Sequence, residues 1–150
     1  MTRIVTGLAV SADGYIAGPD DRPGQPLGVG GERLFDWYSD GDTPSQRYPS
    51  FRLSAKSAAF FDEFAGRFGS VITGRRTYDI TSGWNGKGPL PGVPLFIMTH
   101  QPPDNVPDAD PPYTFITSGV RLLNGATADL RCTRVVDAPG VTHLTYEVVH

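Results

Sequence analysis

The 150-residue sequence has a single cysteine, Cys132, and three histidines, His100, His143 and His150. One thiol rules out an intramolecular disulfide and fits a reducing compartment. Cys132 sits in an alternating segment and reads as a small strand residue rather than a nucleophile. The histidines are scattered, without the spacing that holds a metal. Basic charge is also short. Thirteen Lys and Arg against sixteen Asp and Glu leave a net charge of −3. That gives no surplus to attract nucleic acid, which is not an expected partner. No apolar run reaches the ~18 residues of a membrane span, and the first residues read as a strand rather than a signal peptide. The expectation from these absences is a cytoplasmic protein that needs neither membrane nor metal.

Turn formers, in contrast, are abundant. Gly and Pro number 18 and 14, below the ~25–30% of low-complexity chains. With 39% hydrophobic and 19% charged residues, the chain reads as one domain over 1–150 with many turns. Arg3 to Val10 is a β-branched apolar run and predicts a buried strand. Gly18 to Gly31 predicts an exposed loop. Its Gly28-Val29-Gly30-Gly31 follows no strand, so it is not a dinucleotide fingerprint. Leu34 to Tyr38 is an aromatic patch, read as a satellite packing cluster or, alternatively, a ligand lid. Ser54 to Phe68 repeats apolar residues at helical spacing. Ser70–Thr73, Pro94–Thr99 and Tyr113–Thr117 predict strands. Asp129–Val136 and Thr142–Val149 alternate and predict a hairpin with a longer turn. The order of elements predicts an α/β sheet with an antiparallel edge.

The stretch that organises the chain is Val71-Ile72-Thr73-Gly74-Arg75-Arg76-Thr77-Tyr78. An apolar strand ends in glycine and feeds a helix start, which leaves backbone N–H groups without partners. Gly74 lets a ligand approach closely. Arg75 and Arg76 offer planar forks that match phosphate geometry. Thr77 can cap or donate a hydroxyl. The plain alternative is an ordinary strand-to-helix turn with two solvated arginines.

Ile4–Ala17, Ser70–Asp79, Pro89–Gln101 and Val135–Val149 together resemble the dihydrofolate reductase-like superfamily. The similarity is greatest to the C-terminal reductase domain of the bifunctional riboflavin-biosynthesis deaminase/reductase. The resemblance implies a mostly parallel mixed sheet with a C-terminal antiparallel β-hairpin, and NADPH as cofactor. It implies that the backbone around Ala9 and Ile16 meets the nicotinamide amide. Gly74, Arg75, Arg76 and Thr77 would hold the phosphates, and Thr99, His100 and Gln101 the adenosine end. Asp13, Trp37 and Phe61 would lie near the substrate, a small pteridine- or pyrimidine-like molecule such as a phosphoribosylamino-uracil.

Two departures qualify the resemblance. Where folate reductases place an acid on the first helix, this chain has Ser57-Ala58-Ala59. Asp62 and Glu63 lie about a turn later, on a different face. Dihydrofolate is therefore not expected, and no catalytic acid is assigned. Second, the family continues past a strand like Tyr113–Thr117 with two further helices and two strands. Here Ser118-Gly119-Val120 passes directly to the terminal segment, as if ~50 residues were deleted. Two readings follow: an NADPH-dependent reductase, or a shortened non-catalytic relative that binds nucleotide weakly or only dimerises. The missing strands flank Ile4–Val10 in the family. A compact closure would order the sheet as hairpin, first strand, 71–73, 94–99 and 113–117, with Ser118–Ala128 crossing over. The alternative closure is a second chain filling the gap, an intertwined homodimer.

Overall fold

A computed structural model describes residues 4–117 and 129–149. It is a mixed α/β structure with a three-stranded parallel sheet and a separate antiparallel hairpin. The sheet is β3 (Val71–Gly74), β4 (Leu95–Met98) and β5 (Thr114–Ile116), hydrogen-bonded in that order. Val71 pairs with Leu95, and Ile97 with Phe115. The continuous apolar run Leu95-Phe96-Ile97-Met98 suits a strand bonded on both edges. Leu95 and Ile97 are completely buried. They pack with Tyr78 of helix α2 (Arg75–Ile80), which returns over the same face. Val71, Trp84, Tyr113 and Phe115 close the cluster. On the opposite face Ile72 is exposed.

A second group of elements forms around helix α1 (Ala55–Ala65). Ser54 caps it by accepting from the Ser57 N–H at 3.2 Å, which satisfies one of the four free donors of the first turn. Ahead of it, β1 (Thr43–Pro44) and β2 (Arg52–Leu53) form a minimal antiparallel pair, with Leu53 fully buried. The hairpin β6 (Asp129–Ala138) and β7 (Val141–Val149) packs its tip on α1. There Lys56 Nζ donates to the Asp137 carbonyl, and Arg134 bonds both carboxylate oxygens of Glu63. The turn is shorter than the sequence suggests. Ala138 pairs with Val141, leaving only Pro139-Gly140 between the strands. Gly140 takes φ 71°, a position where a side chain would be strained.

The first strand is the main correction. Residues 4–10 lie in no strand, and Ile4, Val5, Leu8 and Val10 are exposed. An apolar run forms a ladder only beside a neighbour that accepts its hydrogen bonds, and among the described residues none lies there. The compact closure therefore does not occur. Neither 71–73 nor 142–149 pairs with residues 4–10, and the hairpin stands as its own sheet. The Ser118-Gly119-Val120 junction and the proposed crossing over Ser118–Ala128 lie outside the described residues.

The two faces of the parallel sheet should respond differently to truncation. Ile97→Ala empties a closed site and should cost about 2–5 kcal/mol. Ile72→Ala, on the open face, should cost well under ~1.5 kcal/mol. Urea unfolding followed by circular dichroism measures both. Equal losses would show that the open face is covered.

Candidate functional site

The carboxyl ends of β3 and β4 lie side by side because the strands are parallel and in register, Gly74 opposite Met98. Ligands in open α/β sheets collect at this edge. Gly74 is extended, at φ −86°, and caps α2 without a side-chain hydrogen bond. A Cβ placed on it would meet nothing within 4 Å. The glycine thus relieves no backbone strain, and the space above the turn stays free. Thr77 does not cap the helix. It lies a turn further on, and its carbonyl accepts from the Thr81 hydroxyl at 2.7 Å.

Both arginines hold carboxylates of this chain. Arg75 Nε donates to the two oxygens of Asp79 at 2.8 and 2.9 Å, and its terminal nitrogen to the Gln101 carbonyl. Arg76 pairs with Asp21 in the Gly18 to Gly31 segment. The Gln101 carbonyl also accepts from the Thr99 hydroxyl at 2.7 Å, and Thr99 Oγ1 accepts the Gln101 N–H at 3.2 Å. That small turn fixes the chain leaving β4. Arg75 and Gln101, with Pro102, Pro103, Asp104 and Asn105, line an open pocket of about 440 Å³, in the size range of small-ligand sites. His100 sits beside it in sequence and is exposed.

The structure therefore brings Gly74 and Arg75 beside the turn of Thr99 and Gln101, with Thr77 and His100 next to them in sequence and Arg76 directed to Asp21. Ala9, Asp13 and Ile16 are not joined to them. No hydrogen bond among the described residues ties 9–16 to β3 or β4. Asp13 accepts from the Ser11 hydroxyl within its own turn, and Ile16 is exposed. The sequence reading missed the acidic partners and the Pro102–Asn105 wall. Arg75 and Asp79 are four residues apart on a helix, a readable spacing. Asp21, 55 residues from Arg76, left no such signal.

Trp37 and Phe61 do meet, edge to face at 6.4 Å. They belong to a packed aromatic cluster with Tyr38, Tyr48 and Phe51, the satellite-cluster reading of the Leu34–Tyr38 patch. Trp37 sits in the 3-10 helix Gly31–Tyr38 and donates its indole N–H to the Leu34 carbonyl at 3.1 Å. Burial, with a smaller contribution from Tyr38, pushes the Tyr48 phenol up to about 12. Burial alone also lowers the His143 imidazole below its usual range. His143 stacks on Phe60 at 4.3 Å, meets Trp37 edge-on at 5.0 Å and bonds the Ser57 hydroxyl at 3.1 Å. The pair is a histidine beside a serine, but Ser57 is 1% exposed. It anchors the hairpin to α1 and offers no nucleophile to solvent. Asp62 is pushed up by burial, but the Gln46 N–H and the Ser45 hydroxyl outweigh this and hold its pKa low.

The His143 anchor predicts an acid-sensitive fold. Its folded pKa lies below the unfolded ~6.5, so its contribution is complete above pH ~6.5 and declines as pH falls below that value. Asp62 acts only at the lower pH where carboxylates titrate. Urea unfolding at pH 7.5 and 5.5 should show lower stability at 5.5. His143→Gln should reduce that difference, and an unchanged difference would remove His143 as its source. No family model, curated protein or solved structure matches the chain.

Proposed function

We propose that the chain binds NADPH through the carboxyl ends of β3 and β4, as a shortened relative of the dihydrofolate reductase-like superfamily. The observation that carries this reading is the pocket in which Arg75 and Gln101 meet at the edge of a parallel sheet. The donor set suits a phosphorylated ligand. Arg75 lines the pocket, Arg76 follows it, and the open surroundings of Gly74 admit an anion. Asp79 and Asp21 hold the guanidinium groups in place and compete with a phosphate for them. Binding should therefore be weaker than two free arginines would give. Arg75, Arg76 and Thr77 would take the phosphates, and Thr99, His100 and Gln101 the adenosine end.

The fuller reading is an NADPH-dependent reductase of a small pteridine- or pyrimidine-like substrate. NADPH would supply the hydride, and the protein would position it and exclude water. The second reading is a shortened non-catalytic relative that binds nucleotide weakly or only dimerises. The exposed, unpaired segment 4–10 favours it, since Ala9 and Ile16 would be needed to seat the nicotinamide. Of the two, the geometry supports nucleotide binding without turnover.

Titration with NADPH and NADH, followed by Trp37 and Trp84 fluorescence, tests the proposal. Binding should be saturable and prefer NADPH by at least about tenfold, the equivalent of one charge-assisted hydrogen bond. Arg75→Ala combined with Arg76→Ala should abolish the preference and leave the circular dichroism spectrum intact. Equal affinities in the unaltered protein, or no binding at millimolar cofactor, would sink the reading.

A further inference from the structure

A folded monomer of 16.2 kDa exposes about 7,500 Å² of surface. This chain exposes 10592 Å². Allowing the residues outside the described set the full area of an unfolded chain, about 2,400 Å², still leaves an excess of roughly 1,300 Å² over a monomer of the remaining size. A standard interface takes about 800 Å² from each partner. The protein thus has enough uncovered surface for one.

The hairpin holds a compact share of it. Facing residues share one side of a two-stranded sheet, and the register pairs Leu130 with Val148, Cys132 with Tyr146 and Val135 with Leu144. All six lie on one face. The five larger side chains are each between 48% and 61% exposed, and Cys132 is exposed. A bulge at Thr133 makes the face continuous. Without the extra residue, strict alternation would turn Arg134 onto this side and Val135 away. Instead Arg134 points to Glu63, and the opposite face carries most of the charges, including Arg131 and Glu147.

We propose that this hairpin face packs against the same face of a second copy of the chain, forming a closed two-fold dimer. At ~150–200 Å² per large side chain, the five residues expose roughly 500 Å². Two copies bring about 1,000 Å² of apolar surface together, smaller than a standard interface and at the size a biological one must clear. The one charged side chain on this face is Asp137, at its turn end beside Thr142, where a contact centred on Tyr146 and Leu144 leaves it at the solvent rim. The chain supplies a matching, largely apolar surface itself, as a two-fold contact requires. A net charge of −3 offers little long-range repulsion. The proposal does not depend on nucleotide binding.

Sedimentation velocity from about 1 to 100 μM, with the rate of Cys132 modification by a small aromatic disulfide, tests it by mass action. We expect a monomer–dimer equilibrium, with Cys132 reacting about tenfold more slowly at the high concentration. Leu144→Lys should give a monomer and fast labelling at every concentration. Thr145→Lys, on the charged face, should leave the dimer intact. A monomer at 100 μM with constant fast labelling overturns the proposal. So does a monomer whose Cys132 is slow throughout, which would place the chain's own residues on the face. A dimer that survives Leu144→Lys overturns it too, because another surface would then join the copies. Should Leu144→Lys misfold, the concentration dependence of labelling in the unaltered protein decides.

Discussion

Strand β4 is the element on which the rest depends. It is hydrogen-bonded on both edges, and it holds the fully buried pair Leu95 and Ile97. Backbone groups in a strand must find partners, so β3 and β5 are drawn to its two sides. Their parallel direction forces crossovers, and between β3 and β4 helix α2 supplies one by laying Tyr78 over Leu95 and Ile97. The crossover then sets Arg75 beside the chain leaving β4. The candidate pocket is thus a by-product of how a short parallel sheet returns on itself.

Much of this was legible in the sequence. Leu95–Met98 and Thr114–Ile116 fall within predicted strands, Val71–Gly74 runs one residue past the predicted Ser70–Thr73, and Ser54 and the helix behind it follow capping and periodicity. These elements are specified locally, by β-branched runs or by residues three and four apart. The failures share a different cause. Ile4–Val10 has the composition of a strand, but a ladder needs a second strand, and one segment's composition does not reveal whether its neighbour exists. The Thr133 bulge likewise leaves no mark in composition. Of the site, the approach of Gly74 and Arg75 to Thr99–Gln101 was readable because two strands end together. Asp21 was hidden because ion pairs between distant loops follow no period.

The electrostatics of that edge are self-contained. Each arginine has a carboxylate from its own chain, one within the helix and one from the loop near residue 21. These exposed pairs add little stability. Their effect is geometric, since they point two long, flexible side chains in set directions. The aromatic cluster is the opposite case. Tyr38, Tyr48, Phe51 and Phe61 bury area and order nothing chemical, while His143 and Ser57 provide the polar fixing point beneath the hairpin.

The contacts that hold the hairpin on α1 have a consequence for how the chain assembles. Ser57 meets His143 across 86 residues, Lys56 meets Asp137 across 81 and Glu63 meets Arg134 across 71. The sheet pairs residues far closer in sequence. Closing long loops is the slower event, so the parallel sheet forms first and the hairpin arrives last. During synthesis from the N-terminus, Phe60 and its surroundings wait without their cover until His143 has emerged. That interval, rather than the finished fold, is when this protein is most open to sticking to others.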